Sequence, residues 1–485
     1  MNARHSAYIL LCGLLLAPAL PRTMRAQSFS TFVSSLYASS PQRQQQLADS
    51  FYNALPQTPY VENDTLCHIL YRGSAQTVSL AGDMNSWSDT RSLLTRLGST
   101  TLWYRSDRFE HDARLDYKLV VDGNWILDPR NPLTMAGGFG PNSELRMPRY
   151  QEPGEVLSNT GVPRGRIIDT TLSIPELGNQ RNMRIYLPPS HGAPDERYPL
   201  VLFHDGLDYQ RLGNAATVLD NLIAARAIPP CIALFIPAVD RTEEYAGSQL
   251  STYARHLAEV LLPAIDARYN TRTDAASRVL IGSSNGGNIA LYMAMSWPQL
   301  FGNVGAQSSN IIPSIAQFFA AAPALPLRLY MDVGTYDIPV LIPRVRDFVQ
   351  ILTLRQYDVL YREYNEGHSW GNWRAHIDDM LIRFLGHLVN ATDATPPAPE
   401  MFGIGAPWPN PARDLVSIPL TLPAAMPVQL TLYDSLGRSV RVLSERSLSA
   451  GTHTLESDVR GLAPGTYHLR ATAGTRVAGR LLHLY

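Results

Sequence analysis

The chain has 485 residues, 45% hydrophobic and 17% charged, a balance that suits a globular protein and excludes a disordered one. That length exceeds one ordinary core, so about two to four domains are expected. A formal net charge of −1 supplies no global field for nucleic acid or an anionic membrane surface.

In chain order, Arg4 and His5 precede an apolar run from Ala7 to Leu20, and Pro21 to Ala26 follow. These are the three regions of a secretory signal peptide over residues 1–26. The run is too short to span a bilayer, and no other segment reads as transmembrane. Residues 27–60 hold a helical stretch, Pro41 to Leu55. Over residues 61–150 short runs alternate as strands (67–72, 77–81, 102–104 and 115–121) between Gly and Asn turns, the pattern of an all-β sandwich. Over residues 165–392 strand and helix alternate as in a doubly wound, mostly parallel sheet. There, Leu250 to Tyr269 reads as one helix burying Leu257, Val260, Leu261 and Ile265. Residues 393–403 form a Pro-rich linker, and residues 404–485 a second β-sandwich.

After processing only Cys67 and Cys231 remain. They either pair or stay as two buried thiols, and the second outcome is expected. No Cys/His spacing suits zinc and no Gly-rich loop suits a nucleotide, so the chemistry is expected to need no cofactor and no metal. Among the 41 Lys and Arg residues, Lys118 is the single lysine.

The most informative segment is Val279-Leu-Ile-Gly282-Ser283-Ser284-Asn285-Gly286. An apolar strand enters a Gly-x-Ser-x-Gly turn and a small-residue helix leaves it, the setting of a nucleophile elbow centred on Ser284. A serine hydroxyl needs a base and an orienting acid. Asp337 follows the strand Leu327–Gly334, and His368 follows the strand Tyr357–Tyr364, in the chain order Ser, Asp, His. Asp332 is the rival acid, but it lies within its strand. Oxyanion donors are expected from the amide of Asn285 and from the turn His204-Asp205-Gly206-Leu207, where Leu207 is the candidate.

These residues resemble the esterase D-like branch of α/β-hydrolases, and within it the enterochelin esterase group. The resemblance rests on Arg184-Ile-Tyr-Leu-Pro-Pro189, His204-Asp205-Gly206, Asp240-Arg241-Thr-Glu-Glu244-Tyr245, the elbow, and Gly367-His368 with Trp373-Arg374. It implies Ser284, Asp337 and His368 as a triad. Substrate-binding positions are expected at Asp205, Arg241, Glu244, Trp370 and Trp373. For Arg241 and Glu244 the alternative is a solvated ion pair on a loop.

Gly82-Asp83-Met84-Asn85-Ser86-Trp87, Asp116-Tyr117-Lys118 and Trp125-Ile-Leu-Asp128 resemble the immunoglobulin-like carbohydrate-binding family 48 domain. Trp87 and Trp125 are there read either as sugar platforms or as packing, and the domain as a shaper of the neighbouring active site. Trp408–Asp414, Leu430–Arg438 and Leu462–Arg470 resemble the type IX secretion C-terminal sorting domain. That resemblance implies a Gram-negative source, with the type IX secretion machinery as partner and the protein secreted or at the cell surface.

The expected fold class is thus an α/β-hydrolase flanked by an N-terminal immunoglobulin-like sandwich and a C-terminal β-sandwich. The expected function is a secreted serine carboxylic-ester hydrolase acting on feruloyl or acetyl esters of polysaccharides. The alternatives are a siderophore esterase and an inactive carbohydrate-binding surface protein. Acyl transfer to an alcohol is a third outcome of the same acyl-enzyme.

Overall fold

The computed structural model describes residues 28–138, 140–192, 196–388, 402–434, 437–449, 451–474 and 476–485. The signal peptide and nearly all of the Pro-rich linker lie outside the described residues.

The chain opens on two helices, Phe29–Tyr37 and Pro41–Ala54. The first was not anticipated from sequence, since its pattern is short. Ser28 caps it by accepting from the Thr31 amide, and Phe29, Phe32 and Leu36 turn one face inward. That face packs with Ala48 and Tyr52 onto Leu70, Leu97 and Leu102 of the following sheet.

This sheet is antiparallel, in the spatial order Tyr60–Glu62, Leu66–Arg72, Leu102–Arg108, Thr95–Arg96. A second antiparallel group is built on Arg114–Val121, which pairs with Val78–Gly82, Asn124–Ile126 and Asn142–Arg146. Cys67, Ile69, Leu80, Trp103, Leu115, Tyr117 and Leu119 share one core between the two groups.

The central sheet begins with the hairpin Arg166–Ile174 and Asn179–Leu187, which pairs antiparallel with Ile232–Ile236. Parallel strands follow in the order Leu200–His204, Arg278–Ser283, Asn303–Gln307, Arg328–Tyr336, Asp358–Gly367. The first three of these and Ile232–Ile236 are buried along their whole length, with helices on both faces, which is why they read as unbroken apolar runs.

Ser284, Asp205, Asp337 and His368 all follow the carboxyl ends of these strands, where open α/β sheets place their ligand crevice. One residue pair, Glu366 with Arg114, continues the sheet into the N-terminal strands. That pairing seats the N-terminal module beside the crevice.

Two expectations need correction or completion. The helix expected over Leu250–Tyr269 is interrupted: a π-helical turn, Leu257–Leu261, separates Leu250–His256 from Leu262–Tyr269. Pro263 has no amide to give the regular ladder, and the wider turn rotates Val260 to 51% exposure while Leu257 and Leu261 stay buried. Cys67 and Cys231 are both buried free thiols, and burial pushes the Cys231 thiol up to about 12.

The C-terminal part forms two antiparallel sheets, Gly403–Ile404/Leu415–Leu422/Gly451–Asp458 and Ser439–Leu448/Met426–Tyr433/Gly465–Ala473/Arg476–Leu484. Strand Leu415–Leu422 alternates buried and partly exposed residues, and its inward set (Val416, Ile418, Leu420, Leu422) joins Leu430, Leu432 and Leu469 in a separate core.

Candidate active site

Ser284 stands at φ 54° and ψ −121°, between strand Arg278–Ser283 and helix Asn285–Ser296. A non-glycine residue at positive φ is strained and persists only where its surroundings impose it. Here the Ser284 amide donates to the Gln307 carbonyl at 2.8 Å, and the Asn310 amide donates to the Ser284 carbonyl at 3.2 Å. The turn is so tight that a Cβ on Gly282 would overlap the backbone of Gly286. The hydroxyl is thereby presented, half-buried, above the end of the sheet.

Asp337 lies one residue beyond strand Arg328–Tyr336, and its Oδ1 is 2.8 Å from His368 Nδ1. The carboxylate is fully buried, and its Oδ1 also accepts the Ile338 amide at 2.7 Å. With the carboxylate oxygen as acceptor, this contact assigns a proton to His368 Nδ1. Trp373 meets the imidazole edge-on at 4.9 Å.

His368 and Ser284 line the same cavity of about 680 Å³. No hydrogen bond joins the two among the described residues; such contacts often tighten only in the substrate complex. Asp332 is not the histidine's partner. It sits inside its strand, accepting from the Ser308 amide at 3.1 Å and Gln307 Nε2 at 3.3 Å, and burial raises its carboxyl to about 7.

The amides of Asn285 and Leu207 both fall in the first turn of a helix, where N–H groups have no carbonyl four residues back. Asp205 adopts φ 57° just before Gly206, whose Cα rests on the Phe235–Ile236 backbone where a Cβ would overlap. Both candidate oxyanion donors therefore stand at the mouth of strands next to the elbow.

Of the expected substrate-binding residues, Asp205, Arg241, Trp370 and Trp373 line the cavity. Arg241 grips Asp205 with a fork, Nε to Oδ1 at 2.9 Å and Nη2 to Oδ2 at 2.7 Å, and Nη2 also reaches the Ser283 carbonyl at 3.0 Å. Trp373 donates to Ser308 Oγ at 3.1 Å, and Trp370 stands edge-on to it at 5.0 Å.

Glu244 is the exception, and neither reading made from sequence holds for it. It is 0% exposed, lies away from the cavity wall, and takes both Arg181 nitrogens, Nη1 at 2.5 Å and Nη2 at 2.9 Å. The helix Arg241–Ala246 turns Arg241 toward the crevice and Glu244 toward the hairpin that carries Arg181. Replacing Glu244 by alanine strands a buried guanidinium, and we expect a loss of about 3–5 kcal/mol in urea unfolding with KM unchanged. A variant of unaltered stability and raised KM would return Glu244 to the substrate site.

The far wall of the cavity comes from the N-terminal module: Trp87, Asp116, Lys118, Trp125 and Asn142. The Trp87 and Trp125 rings are nearly parallel, 15° apart with centroids at 6.5 Å. Asp116 is engaged by Arg114 at 2.7 Å and Asn142 at 3.1 Å, Asp205 by Arg241, and Asp208 by Arg211. Lys118 forms no ion pair among the described residues, which leaves its ammonium as the unmatched charge of the wall. Sequence reading singled out both tryptophans and noted the lone lysine. It had no means of placing them opposite Ser284.

Residues 174–384 match the family model described as "Putative esterase", and residues 407–481 match that of a secretion system C-terminal sorting domain. The iron(III) enterobactin esterase of Dickeya dadantii is 25% identical over 356 residues, covering 61% of this chain and 81% of its own. An endo-1,4-β-xylanase/feruloyl esterase of Xylanibacter ruminicola is 25% identical over 208 residues, 40% of this chain and 28% of its own. The solved ferric enterobactin esterase of Salmonella typhimurium shares the fold with a TM-score of 0.61 at 21% identity, over 70% of this chain and 99% of its own. The sorting domain marks a secreted or cell-surface protein. Among the described residues no helix is long and apolar enough to cross a membrane.

Proposed function

From the premise that this chain joins an esterase-family domain to a secretion sorting domain, we propose that it is a serine carboxylic-ester hydrolase acting on acyl esters of polysaccharide. The carrying observation is the 2.8 Å contact of His368 Nδ1 with Asp337, in a cavity shared with the strained Ser284. In this reading Ser284 Oγ attacks the ester carbonyl while His368 Nε2 takes its proton and Asp337 holds the ring in the needed tautomer. The amides of Asn285 and Leu207 receive the oxyanion. The alcohol leaves with the proton from His368, and water activated by the same nitrogen then releases the acid.

Residues 61–150 serve as an immunoglobulin-like, family 48-like module that completes the substrate cavity. Two parallel indole faces suit the flat side of a sugar or aryl ring, and Lys118 beside them suits its oxygens. Export toward the cell exterior puts acylated glycans within reach. The N-acyl-serine trilactone of a catecholate siderophore is the second reading, favoured by the extent of likeness to the enterobactin esterases.

Side-by-side assay of methyl ferulate, acetylated xylan and a catecholate trilactone decides between them. We expect kcat/KM on the first two to exceed that on the trilactone by about tenfold or more, the scale on which pocket contacts discriminate. Turnover of the trilactone alone would move the assignment to the siderophore.

A further inference from the structure

His368 and Asp337 belong to loops of the esterase domain, yet both of their flanks are held from the N-terminal module. Tyr336, immediately before Asp337, donates to Glu110 Oε2 at 2.6 Å. Asn365 Nδ2 donates to Asp112 Oδ1 at 2.8 Å. Gly367, immediately before His368, lies on the Asp83 carboxyl so closely that a Cβ would overlap it. Ser369, immediately after His368, accepts from Arg114 Nη1 at 3.1 Å.

Arg114 is the centre of this arrangement. It is fully buried, and besides Ser369 its Nε donates to Glu144 at 2.9 Å and its Nη2 to Asp116 at 2.7 Å, so each of the three guanidinium nitrogens is held by a different residue. It also fills the space in front of Gly371, where a Cβ would overlap it. Ser369 caps the helix Trp370–Ala375 through the Asn372 amide. A hydroxyl oxygen accepts at two lone pairs, and here one faces the helix and the other faces Arg114. The strand pairing of Glu366 with Arg114 ties the same loop to the same residue through the backbone.

We propose that Arg114 is a positioning residue for the catalytic base: held by Glu144 and Asp116, it fixes Ser369 and thereby the loop that presents His368 to Ser284. The N-terminal module is then part of the catalytic machinery as well as a wall of the cavity. The inference rests on the reading of Ser284, His368 and Asp337 as a triad. Its physical basis is that base-to-nucleophile geometry must be kept to a fraction of an ångström, and a 1 Å error costs about 10²-fold in rate. Lysine at position 114 would keep the charge but lose the planar fork that reaches three partners at once.

The test uses the full chain with four variants: Arg114→Lys, Ser369→Ala, Ser369→Thr and His368→Ala. For each, kcat and KM are measured on p-nitrophenyl acetate, a small ester with no sugar. The rate of Ser284 labelling by a fluorophosphonate and the thermal unfolding curve accompany them. We expect Arg114→Lys and Ser369→Ala to lose about tenfold or more in both kcat and labelling rate with KM within about twofold, while Ser369→Thr, which keeps the hydroxyl, stays near the parent. Folded Arg114→Lys and Ser369→Ala proteins with unchanged kcat and labelling, beside an inactive His368→Ala, would overturn the inference. Should Arg114→Lys not fold, the contrast between Ser369→Ala and Ser369→Thr decides the matter alone. Full activity in His368→Ala would instead overturn the triad reading.

Discussion

Replacing Ser284 by alanine is expected to lower kcat for ester hydrolysis by about 10⁴-fold or more, and His368→Ala by a comparable factor. In the proposed triad the hydroxyl and the imidazole act as one unit: without the base the oxygen stays protonated, and without the oxygen the base has nothing to activate. The double variant should therefore be little worse than either single one. Alanine keeps the Cβ and so leaves the strained φ of 54° at this turn as it is, and the unfolding midpoint should not move. Fluorophosphonate labelling should vanish in Ser284→Ala and persist on the parent. A parent protein that resists the label but still binds glycan would make this a carbohydrate-binding surface protein with a silent hydrolase domain.

One strand carries two carboxylates, Asp332 within it and Asp337 just past its end, and only the second is expected to matter for rate. Asp337→Asn should cost about 10³- to 10⁴-fold in kcat with little change in KM. An amide carries no charge to stabilise an imidazolium, and its NH₂ can force the proton onto Nε2, the nitrogen that accepts from Ser284 in the proposed mechanism. Asp332→Asn should stay within about tenfold of the parent, since this residue supports the strand end through the Ser308 amide and does not touch His368. Burial already raises the Asp332 carboxyl to about 7, so a neutral side chain is close to what that position tolerates. The reverse ranking, measured as kcat on one soluble ester, would transfer the acid's role to Asp332.

The parts of the site legible from sequence are those whose geometry is local. Gly282 with Ser284 and Gly286 announces a turn, because a Cβ on Gly282 would meet the backbone of Gly286 four residues on. Asp337 and His368 could be picked out because each stands just past a strand, and strand ends in a parallel sheet share one rim. Arg241 and Glu244 show where such reading stops. Three residues apart on one short helix, one grips Asp205 at the cavity and the other is sealed against Arg181. Their facing depends on how the helix docks on the hairpin, which no local pattern encodes. Val260 is a similar case: helical periodicity puts it inside, and a single π-turn puts it outside.

Composition, strand pattern and glycine placement by themselves determined a mostly parallel α/β sheet with a serine turn at its rim and β-rich parts on either side, because these follow from contacts within a few residues along the chain. Only the tertiary structure decided that Lys118, Trp87 and Trp125 face Ser284 across one cavity and that Arg114 lies against Ser369. Those neighbours are separated by 150 residues or more in the chain. They meet through the pairing of Glu366 with Arg114, a long-range contact that sheet docking creates and that leaves no periodicity to read.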